Sequence, residues 1–253
     1  MKFENSVAII TGGASGLGEA TVREFHLKGC KVCIFDKDAN KGKALAEELG
    51  GKAAFFPVDV SDPINTKEAI REAVEKFSKI TINVNCAGVA LAEKTLGKEG
   101  VHDFDNFRKV IEINLIGTFN VIRLCAKEMS ENSLGMNSEK GVIINTASVA
   151  GFEGQKGQVA YAASKGGVAS MTLPIARDLA RDSIRCCCIA PGLFSTPMLE
   201  DLGHEVCIEL SKDVVFPKRL GNPKEFGIFA AQIVENPYLN GSVFRLDGGI
   251  RLA

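Results

Sequence analysis

Short apolar runs alternate along this chain with helix-length segments, and that alternation leaves few folds open. The runs are Val7–Ile10, Val32–Phe35, Ala53–Val58, Ile82–Asn85, Val142–Asn145, Arg185–Ala190 and Val243–Leu246. They are short, rich in β-branched residues or cysteine, and apolar on both faces, as parallel strands covered on both sides must be. Helical patterns occupy about 17–28, 40–49, 64–78, 104–129, 158–180 and 224–235. A βαβα alternation of this kind predicts one α/β domain over 1–253, with a doubly wound parallel sheet of about seven strands flanked by helices. Two polar stretches, Glu93–Asp103 and Ser130–Lys140, break the pattern and read as surface insertions. A third irregular segment, 193–220, carries Leu193, Phe194, Met198, Leu199 and Leu202. Apolar residues after a strand end suit a lid over an apolar substrate, and an ordinary buried helix suits the composition equally.

Composition excludes several classes. The net charge is −1 and no block of Lys or Arg stands out, which argues against a nucleic-acid binder or a protein built for anionic membranes. No apolar run approaches the roughly 20 residues that span a bilayer. The start, Met1-Lys2-Phe3-Glu4-Asn5, has neither a signal-peptide core nor an Arg-rich presequence. An intracellular, soluble protein is expected, in the cytoplasm of a bacterium or the mitochondrial matrix of a eukaryote. Eight cysteines include the pair Cys30 and Cys33, but no second pair or histidine cluster completes a metal site. Cys33 and Cys186–Cys188 fall in apolar runs, where cysteine acts as a small hydrophobe. His26, His102 and His204 lack ligand spacing, so no metal is expected.

The first apolar run enters Thr11-Gly12-Gly13-Ala14-Ser15-Gly16-Leu17-Gly18, and a helix pattern follows. Glycines in a strand–turn–helix context let backbone approach a pyrophosphate, and the helix N-terminus supplies amide donors. Asp36 ends the second run, where an acid accepts hydrogen bonds from the adenosine ribose. Its charge would repel a 2′-phosphate, and the glycine turn holds no basic residue, so NAD is favoured over NADP. Lys37 follows directly. Asp59 and Val60 fit either an adenine contact or the cap of the next helix. Asn85-Cys86-Ala87-Gly88 closes the fourth run, and Pro191-Gly192 closes the sixth, with Phe194 and Thr196 in the loop beyond. Ligands of such sheets bind outside the carboxyl ends of the strands, where these residues fall.

Tyr161 and Lys165 are four residues apart, one turn on one helix face, and Ser148 lies upstream. A phenol has an ordinary pKa of about 10 and is a weak base at neutral pH. A lysine cation one turn away favours the phenolate, and reaching neutrality takes roughly 4 kcal/mol of differential stabilisation. The product would be a general acid/base for an alcohol or carbonyl oxygen. Asn114 is polar within the apolar helical run Val110–Val121 and needs a partner if it is buried. Gln155 and Gln158 precede Tyr161 closely enough to touch the same substrate.

Together these residues resemble the short-chain dehydrogenase/reductase family. The matching motifs are Thr-Gly-x-x-x-Gly-x-Gly at 11–18, Asn-x-Ala-Gly at 85–88, Asn114, Ser148, Tyr-x-x-x-Lys at 161–165 and Pro-Gly at 191–192, in order across the whole chain. The runs 117–124, 141–148, 171–179 and 189–194, and the insertion at 93–103, are similar to a narrower branch, the type 2 3-hydroxyacyl-CoA dehydrogenases, also called 17β-hydroxysteroid dehydrogenases type 10. The resemblance implies roles. Tyr161 would be the acid/base, and Lys165 would lower its pKa and hold the nicotinamide ribose. Ser148 would bond the substrate oxygen, and Asn114 would hold a water linking Lys165 to solvent. It implies NAD-dependent oxidation of a secondary alcohol, (S)-3-hydroxyacyl-CoA first, with a steroid or another small alcohol as the alternative. It also implies a homotetramer and admits a secondary role as a scaffold subunit in RNA-processing assemblies.

Overall fold

The computed structural model of the chain describes residues 1–98, 100–200 and 203–252. Every apolar run becomes a strand: Val7–Thr11 (β1), Lys31–Asp36 (β2), Ala53–Pro57 (β3) and Ile82–Asn85 (β4), then Gly141–Thr146 (β7), Ile184–Pro191 (β8) and Val243–Leu246 (β9). The insertion at 93–103 supplies the two missing in the count, Leu96–Gly97 (β5) and Gly100–Val101 (β6), which form a small exposed antiparallel hairpin. The main sheet has seven strands in the order β3-β2-β1-β4-β7-β8-β9, and each neighbouring pair is parallel. Connections therefore run outward in both directions from the β1–β4 pair, the doubly wound arrangement, and leave a crevice at the carboxyl ends beside it.

Helices cover both faces. Gly16–Leu27 (α1), Ala39–Leu49 (α2) and Pro223–Glu235 (α9) pack on one side with Ala8, Ile10 and Ile34. Pro63–Phe77 (α3), Thr118–Ser130 (α5) and Val159–Asp178 (α6) pack on the other with Val7, Ile9 and Cys33. Adjacent residues of β1 thus serve opposite layers, which is why the run had to be apolar throughout. Local chemistry sets the helix starts. Asp62 caps α3 through the amides of Ile64 and Asn65 with Pro63 behind it, and Asn222 and Glu225 form a reciprocal capping box before α9. Two short helices, Pro197–Glu200 (α7) and His204–Ser211 (α8), occupy the expected lid segment. Leu202 lies outside the described residues.

The helix expected over 104–129 is interrupted. Phe104–Ile111 (α4) and α5 are joined by the π-helical stretch Glu112–Gly117, which contains Asn114. Among the described residues, no helix is long and apolar enough to cross a membrane, and no group of three or more His, Cys, Asp or Glu could hold a metal ion. All eight cysteines are free thiols.

The polar stretch 130–140 is not wholly a surface insertion. Its Glu139 is buried beside Arg185, with Oε1 2.5 Å from the guanidinium. Arg185 also donates to the carbonyls of Ile233, Val234 and Leu239 at 2.9, 3.1 and 2.8 Å, closing the C-terminal end of α9. A buried pair of this kind contributes little over an apolar pair but is costly to break from one side. Glu139→Ala should therefore destabilise the fold by on the order of 3 kcal/mol, a fall in Tm of about 6–12 °C by scanning calorimetry. An unchanged Tm would contradict the burial of this pair.

Candidate active site

The glycine turn is built by exclusion of side chains. Gly12 has φ 62°, and a Cβ there would stand 2.8 Å from the backbone nitrogen of Ala87. At Gly18 a Cβ would stand 2.0 Å from the carbonyl oxygen of Gly12. Only glycine fits at either position, so the end of β1, the start of α1 and the loop after β4 touch through bare backbone. Thr11 Oγ1 accepts from the Ala87 amide at 3.1 Å and fixes the approach. Asp36 at the end of β2 accepts from the amides of Ala14 and Asp38, both at 3.0 Å, so its carboxylate also holds the turn in place.

A cleft of about 410 Å³ opens at these strand ends. Gly12, Ser15, Gly16, Leu17 and Gly18 form one wall. Asp36, Asp59 and Val60 line the side toward β2 and β3, while Ala87, Gly88, Tyr161 and Lys165 line the side toward β4 and α6. Pro191 and Thr196 reach it from the loop after β8. A glycine-floored turn at a helix N-terminus, with a carboxylate at the next strand end, fits a dinucleotide. Lys37, next to that carboxylate, is drawn to Asp59, Nζ to Oδ2 2.8 Å. Burial works to raise the Asp59 carboxyl, but its bonds from Lys37 and Ser61 outweigh that and leave it below its ordinary value.

Other expected site residues stand elsewhere. Asn85 is buried behind the cleft wall, where its side-chain amide donates to Asn83 and Asn145, both at 2.9 Å. Gly192 is packed against Asp247, whose Cα would lie 2.8 Å from a Cβ there. Phe194 belongs to the core, in a T-shaped contact with Phe226, and Leu193 lines a separate small pocket with Val214 and Pro217. Of Leu193, Phe194, Met198 and Leu199, Met198 alone lines the cleft, beside Pro197. Gln158 turns back on its own loop, its Oε1 accepting from the Gln155 amide at 3.0 Å.

The serine, tyrosine and lysine expected to move a proton lie together at the junction of β7 and α6. Ser148 follows β7, and its Oγ accepts from the Ala150 amide at 3.1 Å. Lys165 is buried, and its Nζ donates to the carbonyl of Thr146 at 2.8 Å while lying 5.8 Å from the centre of the Tyr161 ring. Burial lowers the Lys165 ammonium to about 8, opposed by Cys188 and Cys86. Burial raises the Tyr161 phenol above its ordinary value, and the hydrogen bond with Ser148 pulls it back only in part. The sequence expectation of a lysine-lowered phenol is therefore not met. The Lys165 ammonium lies 5.8 Å from the ring centre, and desolvation of the phenol dominates.

Asn114 is fully buried. It closes a two-way bond with Val89, Oδ1 accepting from the amide at 2.8 Å and Nδ2 donating to the carbonyl at 2.9 Å, and it donates to Ser164 Oγ at 3.1 Å. A Cβ on Gly88 would meet Asn114 Oδ1 at 3.1 Å and Lys165 Nζ at 3.5 Å, so both polar groups converge on the space that glycine leaves. Sequence reasoning missed Thr146, whose carbonyl holds the lysine, and Val89, Lys109 and Ile113, which also line the cleft. None has a motif of its own, because each contributes backbone, bulk or a side chain placed by a distant element. Burial pushes the Cys86 thiol up to about 11, so it is no nucleophile at neutral pH.

The chain has two tyrosines and no tryptophan, so phenolate absorbance can be read cleanly. In Tyr238→Phe, where Tyr161 is the one remaining phenol, ionisation should occur above the ordinary value of about 10. Adding Ser148→Ala should move it higher still. A titration below the ordinary value in the ligand-free protein would contradict the geometry.

A family model of short chain dehydrogenases matches residues 6–206. The chain is 51% identical to the 3-hydroxyacyl-CoA dehydrogenase type-2 of Homo sapiens over 248 residues, 97% of this chain and 95% of the relative. It is 49% identical to the protein of the same name in Drosophila melanogaster over 252 residues, 99% of each. The crystal structure of 3-hydroxyacyl-CoA dehydrogenase type-2 from Mycobacterium avium superposes with a TM-score of 0.95 at 43% identity, over 99% of this chain and 98% of that one. Matched by the family model over most of its length, and by relatives of about half its sequence over nearly all of it, the chain is an oxidoreductase that belongs to the short-chain dehydrogenase family.

Proposed function

We propose that this chain is one catalytic domain that uses NAD to interconvert (S)-3-hydroxyacyl-CoA and 3-ketoacyl-CoA. The observation that carries the reading is Ser148, Tyr161 and Lys165 brought together at one end of a glycine-floored cleft with Asp36 at the other. The type-2 3-hydroxyacyl-CoA dehydrogenases that match the chain along its length support the substrate class.

NAD, when bound, supplies the acceptor for a hydride. The amides at the start of α1 would hold its pyrophosphate, and Asp36 would take the adenosine ribose hydroxyls. Asp36 also disfavours a 2′-phosphate, and the Lys37–Asp59 pair leaves Lys37 less free to offset that effect.

Ser148 orients the substrate oxygen, and its hydroxyl stabilises charge that develops there. Tyr161 holds or moves the proton at that oxygen. Its raised phenol is protonated at neutral pH and ready to donate to a ketone. Alcohol oxidation needs the phenolate, so oxidation should accelerate as pH rises while reduction slows. Lys165, titrating near 8 and bonded to Thr146, can release or take up a proton in that range. Asn114 faces the same space above Gly88 and would complete a polar route from Lys165. Exposed Ile116, Phe119 and Leu173 leave apolar surface on the helical layer of α5 and α6, which supports the homotetramer implied by family resemblance.

The test is NADH formation by purified protein with NAD, 3-hydroxyacyl-CoA esters of graded chain length, and a steroid alcohol. Turnover should be strongest on the CoA esters, rise with pH, and show kcat/KM for NAD well above that for NADP. Activity on the steroid alone would overturn the substrate assignment, and a preference for NADP would overturn the role of Asp36.

A further inference from the structure

Arg245 lies in β9, the last strand at the sheet's edge, and its guanidinium joins three chain segments. Nε donates to Asp247 Oδ2 at 2.6 Å. The two terminal nitrogens grip the carboxylate of Glu153 at 2.8 and 3.2 Å, and one of them also donates to the Ile250 carbonyl at 2.9 Å. Glu153 takes a further bond from the Leu252 amide at 3.1 Å. Arg251 adds a second cation, 3.5 Å from Glu153 and 3.4 Å from Asp247. Two arginines thus balance two carboxylates, and the central three side chains are only 26, 23 and 10% exposed. Bidentate and partly desolvated, this pair is stronger than a surface ion pair. The Arg245 guanidinium holds the Glu153 carboxyl below its ordinary range.

Glu153 belongs to the loop that leads from Ser148 to Tyr161. The inner side of that loop lies directly on the catalytic turn of α6. A Cβ on Gly151 would meet Gly166 N at 2.9 Å, and one on Gly154 would meet Ala162 Cβ at 2.8 Å. Farther along, the Gly157 carbonyl accepts from the Glu93 amide at 2.8 Å. The outer side at Glu153 is held by Arg245 and the chain end. That end also packs behind Pro191, which lines the cleft, and holds the segment around Phe216. Asp247 packs on Gly192 behind Pro191, and the Gly248 carbonyl accepts from the Phe216 amide at 3.0 Å.

We propose that Arg245 is a positioning residue for proton transfer: by clamping Glu153 to the C-terminal segment it fixes the loop that sets Ser148 against Tyr161. It touches neither substrate nor cofactor and acts through Glu153. The clamp also ties that loop, through Asp247, to the Pro191-Gly192 turn, where Pro191 lines the cleft. A displacement of about an ångström at a reacting group costs catalysis far more than stability.

This inference rests on the acid/base reading of Tyr161 and Ser148, and the tests keep the two apart. Glu153→Gln, Arg245→Met and their double variant are compared with wild type for kcat, KM and NADH binding on an alcohol that the wild type oxidises. Each single variant should lower kcat by about ten-fold or more, with NADH affinity within about two-fold. The double variant should be no worse than the poorer single, as expected of two groups acting as a unit. Arg245→Lys, which keeps the charge, should recover part of the loss. The Tyr161 phenol, titrated in the Tyr238→Phe background, should shift in both singles because its bond with Ser148 is disturbed. Lower Tm with kcat and the phenol titration unchanged would overturn the proposal and leave Arg245 a purely structural residue. A wild type inactive on every alcohol would sink the acid/base reading, and the phenol titration alone would then decide the clamp.

Discussion

Bare backbone contact at the centre of the sheet is the constraint on which the site depends. β1 ends in a turn where Gly12 presses on Ala87 and Gly18 presses on Gly12, with no room for a side chain at either. That approach brings the loops after β1 and β4 close enough to share one cleft. It also places the N-terminus of α1 where an anionic ligand can meet its amides. Asp36 completes the arrangement by bonding the Ala14 amide, so the residue that would read the ribose also tensions the turn. Replacing either glycine would move the floor of the cleft, whatever happened to the proposed acid/base residues on its far side.

The chemistry at that far side is set by desolvation. Lys165 is buried with the Thr146 carbonyl for a partner, and the site keeps an ammonium near 8. Tyr161 is pushed the other way, toward the protonated phenol. Both groups are thus driven toward neutrality, as expected when burial outweighs charge pairing. Burial of this kind favours the protonated phenol. Asn114 reaches the same place only because the helix widens to π geometry across 112–117 and lets the side chain bond the Val89 backbone.

Much of this was legible in the sequence, and the failures share a cause. Strands buried on both faces must be apolar throughout, so seven runs betrayed seven strands. The glycine turn, Asp36 and the Tyr161–Lys165 spacing were legible because local geometry demands those residues there. Asn85 read as a cleft residue but is turned into the sheet by Asn145, sixty positions away. Phe194 read as a lid or cofactor contact and is claimed by Phe226 in the core. Glu139 sat in a polar stretch and is buried by Arg185. Each was decided by a partner from another element, which no local pattern carries. The direction of the Tyr161 shift was missed for the same reason, since spacing reveals a neighbour but not how much water both have lost.

The central claim is that Tyr161 moves the proton at the substrate oxygen. Its most direct test is Tyr161→Phe, which removes one oxygen from a half-buried ring, assayed for NADH formation with a 3-hydroxyacyl-CoA alongside circular dichroism and NADH binding. The account predicts turnover lowered by about a hundred-fold or more, with the fold and cofactor affinity retained. Turnover near wild type in a folded, NADH-binding variant would contradict it and assign the proton to another group.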